Sequence, residues 1–389
     1  MSDRSKTINR RSFVQLGAGA GIASGAAIAS LAADAEEKKT GEMAYRPLGK
    51  TGLKVSEVSF GTYGFSNSAL LEQALDKGIN LICTCAIYQN GVAEESIGRV
   101  MKKRRKDAVL FTGWVCREGT TKEKLIASLD QSLRRLQTDY IDIIKSHFVN
   151  QPSELDNDAQ YEAFEEAKKA GKVRFLGVSC HGGNEVEILA KALEKNVIDV
   201  FQFKYNFMEN KPQAAVLTQA AKSGVGIVAF KIDAGKRQGE IKDLEKKGLT
   251  LHQAAVRWAL SNHDVSSVCV TISNFNNINE LQEAVSKKLS RVDTDILERY
   301  AKEVDRSYCR YCSACETHCP YGVAIADIMR YSMYFKYYKM EKEAMRLYAE
   351  LTHANPVADC LNCRGNCERG CPHGRAVREG LLEAGRLLA

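Results

Sequence analysis

The chain has 389 residues, 44% of them hydrophobic and 26% charged. That balance suits folded soluble domains and excludes a disordered chain, a collagen-like repeat and a polytopic membrane protein. The net charge of +7 is interspersed rather than gathered into basic blocks, which describes a mildly basic solvated surface and no nucleic-acid partner.

Residues 1–35 read as an address. Arg10 and Arg11 precede an uncharged run from Ser12 to Ala33 that is rich in Ala and Gly, and Ala33-Asp34-Ala35 offers a small-residue cleavage site. The pattern resembles a twin-arginine export signal. The mature chain is then expected to begin near Glu36 and to be periplasmic or otherwise exported. The twin-arginine translocation machinery is its first partner, and no stable membrane anchor remains after cleavage. The run is also long enough to span a bilayer, so an uncleaved anchor is the competing reading.

From residue 44 to about 290, short apolar runs alternate with amphipathic stretches. Candidate strands are Val55–Gly61, Ile79–Cys85, Ala108–Trp114, Tyr140–His147, Val173–Ser179, Val200–Phe203, Gly226–Phe230 and Ser267–Ile272. One stretch between them opens on the capping box Thr120-x-x-Glu123 and carries Leu125, Leu129, Leu133 and Leu136 at helical spacing. Eight strand–helix units fit an α/β fold, a (β/α)8 TIM barrel, with its chemistry at the carboxyl ends of the strands. A doubly wound open sheet is the alternative, but the Gly-x-Gly-x-x-Gly turn after its first strand is missing.

The segments YRPLGKTGLKVSEVSFGTYG (Tyr45–Gly64), DYIDIIKSH (Asp139–His147), GKVRFLGVS (Gly171–Ser179), FQFKYN (Phe201–Asn206) and AAVRWALSN (Ala254–Asn262) resemble the aldo/keto reductases. The resemblance covers residues 44–290 and implies a (β/α)8 barrel that binds NADPH and uses an Asp, Tyr, Lys, His tetrad. Carried over residue by residue, the tyrosine is Tyr88 and the histidine His147. Cys83 stands at the aspartate position, and the lysine at the end of the third strand reads as replaced by Trp114. Tyr88 and His147 are therefore the expected catalytic pair. The resemblance places cofactor contacts at Gly61, Thr62, Ser179, Gln202, Phe230, Ser273 and Asn274. The basic residues that would hold the 2′-phosphate are not evident from Ser273 to Glu280, so a bound NADP(H) is in question.

Two further features stand near this site. Lys145 is two residues before His147 on one strand and so shares its face; it either enters the barrel or reaches solvent where the strand bends. Cys83 and Cys85 form a Cys-x-Cys suited to metal or electron transfer, or are plain buried cysteines.

The tail, residues 291–389, holds eight of the 13 cysteines. Cys309-x2-Cys312-x2-Cys315-x3-Cys319-Pro320 is the bacterial ferredoxin run for a [4Fe–4S] cluster. Cys360-x2-Cys363-x3-Cys367-x3-Cys371-Pro372 repeats it with one extra residue before the third cysteine. Two clusters are expected in a mostly helical, ferredoxin-like module; four-thiolate zinc sites are the alternative. In the two-cluster pattern the fourth cysteine of each run serves the other cluster, giving Cys309, Cys312, Cys315 and Cys371 for one and Cys360, Cys363, Cys367 and Cys319 for the other. Some relatives of the aldo/keto reductases carry such a tail, and the chain resembles that subgroup. The sequence thus implies an exported iron–sulfur oxidoreductase acting on a carbonyl or sugar-like small molecule, with a redox partner protein. The alternative is a catalytically degenerate barrel that binds or transfers electrons.

Overall fold

The computed structural model describes residues 43–182, 184–208, 211–234, 250–304, 307–338, 340–351 and 357–389. The export segment, residues 1–35, lies outside them. No helix among the described residues is long and apolar enough to cross a membrane.

Among the described residues, ten strands form a small hairpin and a closed barrel. β1 (Tyr45–Pro47) and β2 (Lys54–Ser56) pair antiparallel. The barrel runs through β3 (Val58–Gly61), β4 (Leu81–Cys83), β5 (Val109–Trp114), β6 (Ile141–Val149), β7 (Val173–Cys180), β8 (Val200–Lys204), β9 (Gly226–Phe230) and β10 (Ser267–Thr271). All pairs are parallel, and β10 hydrogen-bonds both β9 and β3, which closes the ring. The open-sheet alternative is thereby excluded. The expected first strand, Val55–Gly61, is two strands. Glu57 breaks it: its carboxylate takes the Arg46 guanidinium at 2.9 Å and its carbonyl accepts from Val268 N–H.

Side chains alternate across each strand. Leu81 and Cys83 of β4, Val109 and Phe111 of β5, Ile143 of β6, Val200 of β8 and Val228 of β9 fill the inside, and Leu48 and Val55 close it beneath. The intervening residues, such as Ile82, Leu110, Ile144 and Val268, face the helices. This phase corrects one expectation. Trp114 shares the face of Leu110, lies in the barrel–helix layer, and donates Nε1–H to Ser146 Oγ at 3.3 Å. Gly113, in step with Val109 and Phe111, is the residue that faces the interior at the top of β5. Trp114 therefore does not stand where an inward lysine would.

The amphipathic stretches form helices around the barrel. The one over Lys122–Leu136 buries Leu125, Leu129, Leu133 and Leu136 as expected, but its cap is Thr121, whose side chain accepts from Lys124 N–H. Thr120 instead accepts from Arg117 N–H. The helix Arg291–Val304 packs on the barrel helix Leu251–Ser261 through a buried Arg257–Asp293 ion pair. Three tail helices, Ile325–Tyr337, Glu341–Ala349 and Val377–Leu388, pack on one another. The first of them lies across the carboxyl rim of the barrel, as ring contacts to Tyr63 and Phe148 show.

Candidate active site and cysteine groups

Tyr88 opens a single 3-10 turn, Tyr88–Gly91, after β4. The next two residues, Gln89 and Asn90, take left-handed dihedrals (φ 47° and 53°). Such a conformation costs a residue ~1–3 kcal/mol and persists only where packing enforces it. It sets the Tyr88 ring edge-on to His147, with centroids 5.6 Å apart, and to Tyr63 at 5.1 Å. His147 sits near the end of β6, where the register with β7 shifts and Phe148 takes φ 61°. The bulge turns His147 and Phe148 toward His181, just past the end of β7; His181 lies 4.8 Å from His147 and stacks on Phe148 at 4.2 Å. His181 in turn meets the Phe230 ring at 4.7 Å.

The tail helix roofs this cluster. Tyr334 reaches Tyr63, the Arg330 guanidinium lies 5.5 Å over Phe148, and Arg330 donates to the His181 carbonyl. Lys231, just past β9, has its ammonium nitrogen 5.4–5.8 Å from the Phe230, Tyr334 and Tyr311 rings. Lys204 of β8 donates to the Arg310 carbonyl and lies 3.5 Å from Glu185. Sequence reading missed His181, Lys231 and Arg330. The first two stand directly after strand ends, where barrel chemistry gathers; Arg330 had no local signal.

The polar groups here are buried and underused. Both ring nitrogens of His147 and His181, the Ser179 hydroxyl and the Lys231 amine have no hydrogen-bond partner among the described residues. A buried polar group left so costs ~1–3 kcal/mol, and native proteins keep few of them. Burial, with Cys85 and Cys269 nearby, pushes the Tyr88 hydroxyl well above its usual value of 10, so it stays protonated. Burial and then Lys145 hold the His147 imidazole well below 6.5; burial and then Lys231 do the same for His181. Both rings are neutral at pH 7. Burial, with Arg330 and Lys204 beside it, also depresses Lys231 well below 10.5.

Lys145 enters the barrel. It is 1% exposed, donates to Gln202 Oε1 at 2.8 Å, and lies 4.3 Å over the Phe111 ring. The bend-to-solvent alternative is excluded. Gly113 makes room for it, since a Cβ there would come within 2.7 Å of Lys145 Cγ. Cys83 and Cys85 do not act as a pair. Cys85 donates to the Gly113 carbonyl, and burial pushes its thiol up to about 12. Cys83 turns to Cys269 of β10 and Ser59; burial raises its thiol, but Cys269, Lys145 and Ser59 outweigh that and lower it.

The expected cofactor residues fall into separate places. Phe230 borders the His181 cluster, while Ser179 pairs in register with Gln202, which is tied to Lys145. Gly61 packs against the Val270 carbonyl, where a Cβ would sit 2.7 Å away, and the Thr62 hydroxyl and N–H both donate to the Cys83 carbonyl. Ser273 and Asn274 are exposed; Ser273 bonds Asn277, and Asn274 caps the helix Phe275–Val285. The site therefore gathers Tyr88, His147 and Phe230 with His181 and Lys231, sets Ser179 beside Gln202, and leaves Ser273 and Asn274 outside.

The tail cysteines form two groups. Cys309, Cys312, Cys315 and Cys371 line one cavity, with Tyr311, Met329 and Arg375. Burial, then Cys309, Glu316, Cys312 and Cys371, push the Cys315 thiol up to about 12. Around Cys360, burial and then Cys319, Cys367 and Cys363 raise the thiol to about 11. Cys319 thus stands with the second run and Cys371 with the first. Among the described residues no three His, Cys, Asp or Glu side chains close on a single metal-ion position.

Residues 58–239 match the model of the aldo/keto reductase family. An uncharacterized oxidoreductase of Bacillus subtilis is 27% identical over 68% of this chain and 99% of its own. L-glyceraldehyde 3-phosphate reductase of Escherichia coli is 25% identical over 67% and 95%. The holo form of an aldo-keto reductase from Bacillus halodurans superposes with a TM-score of 0.57 at 25% identity, over 70% of this chain and all of that one. A putative aldo-keto reductase from Pseudomonas aeruginosa gives 0.52 at 25% identity, over 64% and 97%. Residues 58–239 thus carry the likeness to the aldo/keto reductases, the barrel is similar to theirs in fold, and the likenesses support an oxidoreductase.

Proposed function

We propose that the protein is an exported iron–sulfur oxidoreductase of the aldo/keto reductase type, acting on a carbonyl or sugar-like substrate at the roofed barrel rim. The observation that carries this reading is the cysteine grouping beside the rim: the first group shares its cavity with Tyr311, whose ring lies 5.8 Å from Lys231. The donor sets fit [4Fe–4S] clusters, since each is four thiols drawn from both runs, as in two-cluster ferredoxins. Cys309, Cys312, Cys315 and Cys371 would hold one, and Cys360, Cys363, Cys367 and Cys319 the other. When bound, such clusters exchange electrons one at a time, here with a redox partner protein.

The chain's own residues do the rest. Tyr88, kept protonated by burial, donates a hydrogen bond to a substrate oxygen and is the proton source nearest to it. His147, neutral and edge-on to Tyr88, fixes the same oxygen from a second side. The tail helix keeps water off both. The residues present do not fit a nicotinamide: Gln202 is engaged by Lys145, His181 and Lys231 crowd Phe230, and Ser273 and Asn274 serve a helix cap.

A degenerate barrel that only binds or relays electrons is favoured by one observation: no cation offsets the rise of the Tyr88 hydroxyl. Iron and sulfide counts on anaerobically purified protein, with turnover of candidate carbonyl compounds, test both readings. About eight irons per chain is expected. Four or fewer would remove the second cluster, and zinc in their place would remove the redox reading. Export rests on residues 1–35 and is checked by replacing Arg10 and Arg11 with lysine, which should trap the precursor inside the cell.

A further inference from the structure

The nitrogens at the barrel rim form one set. His147, His181 and Lys231 come from the carboxyl ends of β6, β7 and β9, and Arg330 comes down from the tail helix. Both imidazoles are buried, 1% and 6% exposed, and neither ring nitrogen of either has a partner among the described residues. The Lys231 amine and Arg330 Nε are likewise buried without one. The carboxylates near Lys231 and Arg330 are already engaged: Glu185 faces Lys204, and Asp327 pairs with Arg330. What faces Lys231 is Arg330, Lys204, Glu185, the Cys180 thiol, His181 and three aromatic rings.

We propose that this rim binds the oxyanion of a small ligand, a carboxylate or a phosphate, with Lys231 as its counter-charge and His147, His181 and Arg330 as further donors. A set of nitrogens without acceptors is completed by a group that is all acceptor, and an anion is the group that matches a surplus of bases in a site shielded from water. Neutral sugars offer hydroxyls, which would leave that surplus uncompensated. The proposal rests on the rim being the substrate site and names the substrate class: an acid or a phosphate ester rather than a neutral carbonyl compound.

An anion bound beside the two neutral imidazoles, and beside a lysine whose ammonium burial disfavours, favours their protonated forms. Affinity should therefore tighten as pH falls and weaken as it rises.

The test is calorimetric titration of anaerobically purified full-length protein, both cysteine groups loaded, with malonate and inorganic phosphate as probes. Malonamide and glycerol are the neutral counterparts. The expected result is one site per chain for a charged probe, with a heat that varies with the ionisation enthalpy of the buffer. Neutral probes should not bind. Lys231→Met should weaken binding roughly 10–100-fold, as losing a hydrogen bond to a charged group does; Lys231→Arg should retain most of it. Malonate binding without phosphate identifies an acid, and the reverse identifies a phosphate ester. Melting temperature and iron content check that each variant folds; should Lys231→Met fail, Lys231→Gln takes its place. Equal binding of malonate and malonamide, or an affinity unchanged in the folded Lys231 variant, would overturn the proposal. Calorimetry reads binding without turnover: anion binding kept while candidate carbonyl compounds are not turned over would fail the catalytic reading alone, and turnover without charge-selective, Lys231-dependent binding would fail this one alone.

Discussion

Tyr88 keeps its proton because nothing charged offsets its burial, and that decides what it can do. Tyr88→Phe removes only the hydroxyl; turnover of a true substrate should fall ~10²–10⁴-fold, the usual worth of a general acid, while the fold is kept. Wild-type turnover would take Tyr88 out of the chemistry. At Gly113 the outcome is structural. A methyl there meets Lys145 Cγ and the Lys145 carbonyl, so Gly113→Ala should cost about 1–3 kcal/mol in denaturant unfolding. The histidines set a pH dependence. Their folded pKa values lie below the unfolded value of about 6.5, so below that pH the unfolded chain binds protons that the native one refuses. Stability is full above about pH 6.5 and falls as pH drops toward the folded values. Melting temperatures between pH 7 and 5 should decline, and His181→Phe should flatten the decline. Tyr88 and His147 were legible from family motifs. His181 and Lys231 were not, because the partners that reveal them come together only in the fold: a bulge at Phe148 brings His147 and Phe148 to His181, and a left-handed backbone at Lys231 sets its place at the rim. Trp114 misled for a simpler reason: one residue of strand phase moves a side chain to the opposite face.

The elements were largely readable, since the barrel strands are short apolar runs between turns and helices such as Lys122–Leu136 carry an apolar face. The hairpin was not. Val55–Gly61 carries Val55, Val58 and Phe60 between small residues, and the Arg46–Glu57 pair, remote in pattern but close in space, divides it. A similar pair fixes the helix Arg291–Val304 on the barrel. Arg257 and Asp293 have side chains 2% and 1% exposed, and Asp293 also accepts from Ser290. Removing one partner of a buried pair leaves an uncompensated charge, which costs about 3–5 kcal/mol. Asp293→Ala should therefore lower the melting temperature far more than Asp295→Ala, two residues away on the same helix. Equal effects would show that the pair contributes little.

In the whole molecule, barrel and tail meet at the rim, and each cysteine group of the tail joins residues distant in sequence. The spacing alone suggested that Cys319 and Cys371 change places, and the two groups have that composition. With [4Fe–4S] clusters bound, Cys371→Ser should alter the EPR signal of the cluster nearer the barrel, and Cys319→Ser that of the farther one. The opposite pattern would mean that each run keeps its own fourth ligand. The cross-over has a consequence for how such a tail is passed between proteins. Neither cysteine run is a complete part: each supplies three positions to one group and a single position to the other. Helices between them, Ile325–Tyr337 and Glu341–Ala349, span that exchange. A gene rearrangement that copied one run without the other would deliver two broken sites, not one intact one. With clusters held as proposed, such a tail would work only where both runs travel together.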